Sequence, residues 1–275
     1  MAPTPVYFQL AMSPAVSTST LASKKHLSKH KPLLRLELRD LRHDGTKAFF
    51  DHLDATSVVD EAVSGVLDWL YSPHSIIPPV RSITLVLRSM GGVAYTTGID
   101  LDPDHHKEIH FNLDYIKGIT KERRKDEMLG VIRHEMVHCW QWNALGTAPG
   151  GLIEGIADYV RLRSGFVPPH WKQSADGDWD AGYQHTGYFL DYLEKTYGDG
   201  SVIAINEALR SKEYCEEKLW DELFGKSIQK LWKEYSHALD RKHGDKDKDK
   251  DDDEACPEEK EKEKEKADPS VSVGA

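Results

Sequence analysis

His134 and His138 stand four residues apart in the run His134-Glu135-Met136-Val137-His138, with a glutamate directly after the first. On an α-helix this spacing stacks both imidazoles on one face, one turn apart, where they can chelate a single zinc ion. Glu135 projects toward the same cavity, where it can hold and deprotonate a metal-activated water. No other stretch of the chain speaks so directly about chemistry. It reads as the centre of a zinc-dependent hydrolase.

A catalytic zinc takes three protein ligands and keeps a fourth position open. Glu154 and Asp158 are four residues apart in Gly151-Leu152-Ile153-Glu154-Gly155-Ile156-Ala157-Asp158. On a helix they share a face and can point back at the two histidines. One carboxylate can bind zinc while the other accepts the spare N–H of a ligating histidine and sets its tautomer. Glu154 is assigned to the metal and Asp158 to the histidine. Spacing alone leaves the reverse open.

These side chains need two helices joined by a reversal. The run from about Lys121 to Trp142 lacks proline and carries a single glycine, Gly130. Met128, Ile132, Met136 and Trp140 recur every four residues as one buried stripe, with the two histidines off it. Thr120 is the expected N-cap, and Glu122, Asp126 and Glu127 suit the early turns. Asn143 to Gly151 holds enough glycine and proline to turn the chain. A second helix is then expected from near Leu152, burying Ile153, Ile156, Ala157 and Val160.

The stretch HEMVHCWQWNALGTAPGGLIEGIADYVRLRSG resembles the family named for plant basic secretory proteins, also described as peptidases of plants and bacteria. GYQHTGYFL from Gly182 and KSIQKLWKEY from Lys226 resemble that family's later helices, so the likeness spans roughly residues 32 to 240. The resemblance implies a glutamate-liganded zincin metallopeptidase, with thermolysin as the familiar example. It implies one Zn²⁺ per chain on His134, His138 and Glu154, with Asp158 behind a histidine and Glu135 as general base. Tyr183 falls within the likeness as a donor to the developing oxyanion; His185 and Tyr159 are weaker candidates for that task. An edge strand before the metal helix, Glu108 to Tyr115 by this analogy, would pair with an extended peptide. A catalytically inactive zinc-binding module of the same fold is the alternative.

The scaffold expected around the site is α+β. Leu34, Leu36 and Leu38 alternate with charged residues, as do Ile83, Leu85 and Leu87 with their neighbours, and Ile109, Phe111, Leu113 and Tyr115 continue the pattern. Val58 to Tyr71 reads as an amphipathic helix. Further helices are expected near Tyr183–Tyr197, Ser201–Arg210 and Ile228–Leu239. The order gives a small mixed sheet, then a mainly helical half, with the metal helix at the junction.

Composition bounds the rest. The chain has 275 residues, 39% of them hydrophobic, enough for one substantial core. Residues 1–31 and 241–275 read as a disordered leader and a disordered charged tail, because neither can bury enough apolar surface to offset its ordering entropy. That leaves a catalytic domain over 32–240. A formal charge of −10 without a basic stripe argues against nucleic acid. No apolar run reaches membrane-spanning length. The expected partner is a peptide or protein substrate, met by a monomer. Met1 to Leu21 lacks the pattern of a secretion signal, and three cysteines suggest no disulfide framework. Both lean toward the cytoplasm, with secretion as the alternative that the resemblance implies. Cys139 and Trp140 read as core, and Trp142 as a wall of the cleft. His105, His106 and His110, near Asp102 and Asp104, read as a polar turn entering a strand rather than a second metal site.

Overall fold

A computed structural model describes residues 31–251, with side chains through Arg241. In chain order the elements are β1 (Leu33–Leu38), α1 (Asp44–His52), α2 (Val58–Leu70), β2 (Ser82–Arg88), β3 (Ala94–Gly98) and β4 (His106–Asn112). Then follow α3 (Leu113–Gly118), α4 (Arg124–Trp140), α5 (Gly150–Arg163), α6 (Tyr183–Tyr197), α7 (Ser201–Ala208), α8 (Glu216–Phe224) and α9 (Ile228–Asp251). The architecture is α+β as expected. No helix among the described residues is long and apolar enough to cross a membrane. The leader expected over 1–31 and the tail beyond Asp251 lie outside the described residues, Lys31 apart, while α9 runs on past the boundary expected at 240.

The four strands form one sheet in the order β1-β2-β4-β3. β1, β2 and β4 are parallel neighbours, and β3 is antiparallel to β4. Ile83, Leu85 and Leu87 of β2 and Ile109 and Phe111 of β4 point to one face and are buried. The stripe Met128, Ile132, Met136 and Trp140 of α4 is buried in the same core. Period-two and period-3.6 faces thus meet, and α4 lies where sheet and helical half join.

Two expectations about this region are corrected. The third strand ends at Asn112, because the Asn112 side chain accepts the Asp114 backbone N–H (2.9 Å) and caps α3; Leu113 and Tyr115 are therefore helical. β4 is also not the edge strand. It is flanked on both sides, and the edge is β3, a five-residue AYTTG segment too short and polar to be read beforehand. α1 and α8 were likewise not legible.

The histidine-bearing helix α4 is shorter than its pattern. Thr120 does not cap it: residues 121–123 form a turn in which Arg123 N–H donates to Thr120 O (3.1 Å), and Arg123 stands at the cap without a side-chain bond. Gly130 within it makes room for Arg161, whose Nε would lie 2.6 Å from an added Cβ. α5 begins at Gly150 behind Pro149, two residues before the expected start, and buries Leu152 and Tyr159 where Ile153 was expected.

A candidate metal centre between two helices

α4 places His134 and His138 one turn apart, their rings 5.0 Å apart and nearly perpendicular. α5 packs on α4 and brings Glu154 and Asp158 to the same place, but to different nitrogens. Asp158 Oδ1 lies 2.7 Å from His134 Nδ1, and both side chains are buried. Glu154 Oε2 lies 3.1 Å from His134 Nε2, its Oε1 lies 3.7 Å from His138 Nε2, and the two Nε2 atoms are 3.3 Å apart.

Three donors each about 2.1 Å from a tetrahedral centre would stand roughly 3.4 Å from one another. The Nε2–Nε2 distance of 3.3 Å and the 3.1 Å from His134 Nε2 to Glu154 Oε2 lie close to that value, while the other carboxylate oxygen, Oε1, is the one 3.7 Å from His138 Nε2. His134, His138 and Glu154 form a group that could hold a metal ion, and no second such group occurs among the described residues. His105 and His106 turn instead to Asp102, and His110 to Glu108.

The electrostatics match the geometry. Burial opposes a charge on His134, but hydrogen bonds to Asp158 and Glu154 outweigh it and push its pKa up to about 9. The place between His134 and Glu154 thus favours positive charge, which a cation would supply. Burial and the neighbouring His134 charge push His138 down to about 4, leaving it a neutral donor. For Glu154, burial is outweighed by the two histidines, which hold its carboxyl below the usual range. The set demands positive charge at one point.

Glu135, 7% exposed, lies beside this group. Burial raises its pKa, while Thr96 Oγ1 shares its hydrogen between Glu135 Oε2 (2.8 Å) and the Glu135 backbone carbonyl (2.9 Å). Thr96 belongs to β3, so the edge strand grips this carboxylate. Sequence reading missed Thr96, since nothing local links it to a residue 39 positions on.

Tyr183 opens α6 with a φ of 47°, directly after Gly182 at 88°, a left-handed pair that bends the chain into the helix. Its ring lies parallel to that of His134 at 6.2 Å, and the phenol is largely exposed. The Glu154 charge, then burial, raises its pKa. His185 instead packs on Trp232, and Tyr159 is buried beside Trp69. Trp142 is not a cleft wall: its backbone N–H donates to Asn206 Oδ1 and its ring packs on the core. The cleft, about 540 Å³, is lined by Ala94, His134, Glu135, Glu154, Asp158 and Tyr183 among others.

An α+β fold with a His-His-Glu group between two packed helices, opening on a cleft with a buried glutamate, defines the class. The model of the family described as peptidase of plants and bacteria matches residues 31–235, and the chain belongs to that family. The resemblance seen around His134 and Glu154 is thereby met over nearly the span expected. No curated protein and no solved structure matches the chain.

Proposed function

We propose that the protein is a zinc metallopeptidase in which Glu135 acts as general base. The observation that carries this reading is the convergence of His134, His138 and Glu154 at spacings suited to one ion, with Glu135 alongside. Zinc held there would supply the Lewis acidity that activates a water and polarises the scissile carbonyl.

The chain's own residues do the rest. Asp158 accepts the His134 Nδ1–H, fixing the tautomer that turns Nε2 toward the site. Glu135 takes the proton of the attacking water; its raised pKa makes it a stronger acceptor than an exposed glutamate. Thr96 holds the Glu135 carboxylate in place. Tyr183 donates its phenolic O–H to the oxygen on which negative charge grows. Gly92, Val93 and Ala94 bring the start of β3 to the cleft rim, and among the described residues β3 has a strand neighbour on one side only, which suits backbone pairing with an extended peptide.

Elemental analysis together with hydrolysis of a peptide library tests the proposal. Wild type and Glu135→Ala are each expected to carry one zinc per chain. Hydrolysis by Glu135→Ala should fall by roughly 10²-fold or more. Undiminished turnover in that variant, or wild-type protein without stoichiometric zinc, would refute it.

A further inference from the structure

The cleft continues beyond the metal centre along the two helices. His134 of α4 meets Asp158 of α5, and seven residues earlier on α4 Glu127 meets Arg161, three residues later on α5. The helices therefore run in opposite directions here, and a Glu–Arg pair sits about 10 Å along the axis from His134. The pair thus lies about two turns along α4 and one turn along α5 from the candidate centre.

We infer that Glu127 and Arg161 form the floor of a side-chain pocket that selects the substrate residue next to the cleaved bond. The pocket admits large uncharged side chains, aromatic ones above all, and rejects charged ones. This inference rests on the peptidase reading above.

The floor is polar but balanced. Arg161 is only 7% exposed; its Nη2 donates to Glu127 Oε1 (3.0 Å) and its Nε donates to Phe166 O (3.0 Å). Tyr115 O–H donates to the same Glu127 oxygen (2.9 Å). A charged side chain arriving there would lose its water and find the complementary charge already engaged. The walls are apolar and aromatic at Val93, Val131, Pro168 and Tyr115, with His170 and Gln184 lining the same cleft. The Trp171 ring stands 5.2 Å from the Arg161 guanidinium carbon. Burying a ring against Trp171 and Tyr115 gains both area and edge-to-face contacts.

One wall comes from the connection between α5 and α6, residues 164–182, which holds Pro168 and Trp171 and has no helix or strand of its own. Connections this long in a compact domain are commonly functional. Arg161 ties its start to α5 through Phe166. One guanidinium thus sets both floor and wall.

The test uses hexapeptides of glycine and alanine carrying a single Phe, Leu, Asp or Lys. Wild type is assayed for cleavage, and zinc-loaded Glu135→Ala for binding by calorimetry. Peptides with Phe or Leu should be cleaved, and bound, roughly tenfold or more in preference to those with Asp or Lys. Arg161→Met leaves Glu127 with only the more distant Arg123 Nη2, 3.8 Å away, as a cationic partner and should move both rankings toward Lys. Glu127→Gln leaves Arg161 uncompensated and should move them toward Asp. Trp171→Ala changes a partly exposed loop residue, so it keeps the inference testable if either buried change prevents folding; it should bring Phe down to Leu. Equal treatment of the four peptides by wild type, or rankings unmoved in every folded, zinc-replete variant, overturns the inference. Ranked binding with no cleavage by wild type would support the pocket and sink the peptidase reading instead.

Discussion

At the scale of single residues, the candidate centre is a competition between a proton and a cation for the space between His134, His138 and Glu154. In the metal-free protein His134 titrates near 9 against an ordinary 6.5, and His138 near 4. The raised His134 value means its stabilising contribution is complete below about 6.5 and lost as pH rises through 9. The depressed His138 value works the other way, its contribution present above about 6.5 and lost as pH falls toward 4. From these two groups the metal-free protein should be most stable near pH 6.5, which thermal unfolding across pH 4 to 9 would read. At pH 7.5 His134 carries an extra proton and His138 does not, so zinc binding should release about one proton per ion. Calorimetry in buffers of differing ionisation enthalpy measures that number. A value near zero would contradict the arrangement.

At the scale of elements, the position of Glu154 depends on how closely α6 packs against the back of α5. A Cβ on Gly187 would lie 3.1 Å from Tyr159 N and 3.2 Å from the Asp158 Cβ. A Cβ on Gly155 would meet the Thr186 side chain at 2.3 Å. The glycines let the helices touch directly behind Asp158, and α6 in turn presents Tyr183. Gly187→Ala should therefore cost roughly 1–3 kcal/mol and weaken zinc binding as α5 shifts. Gly150→Ala, in the first turn of α5 with nothing within 4 Å of an added Cβ, should leave stability unchanged or raised by roughly 0.5 kcal/mol. Urea unfolding and zinc titration of the two variants side by side would show whether helix contact or mere loss of glycine matters.

At the scale of the whole molecule, the site stitches the two halves together. Glu135 is held from β3, the histidines come from the junction helix, and Glu154 comes from the helical half. An ion bound at a thousand times its dissociation constant stabilises the fold by about 4 kcal/mol. For a domain of this size that corresponds to a rise in Tm of roughly 10 °C. Stripping the ion with a chelator should lower the Tm by that order in wild type and in Glu135→Ala. In Glu154→Ala the chelator should change little. Scanning calorimetry with and without chelator separates these outcomes.

The histidine pair, its helix and the acids four apart on the next helix were legible in the sequence. Each is a local pattern, written by the 3.6-residue repeat within a single element. The family likeness and the α+β order were legible for the same reason, as runs of period two followed by helical runs. What lies between elements was not. Asn112 ending β4, β3 taking the sheet edge, Thr96 reaching Glu135 and Arg161 meeting Glu127 depend on residues distant in the chain that only the folded core brings together. Spacing also could not tell Glu154 from Asp158, since both share one helix face. The approach of α5 to α4 separates them, setting one carboxylate at His134 Nε2 and the other at Nδ1, because two acids a turn apart meet the imidazole from opposite ends.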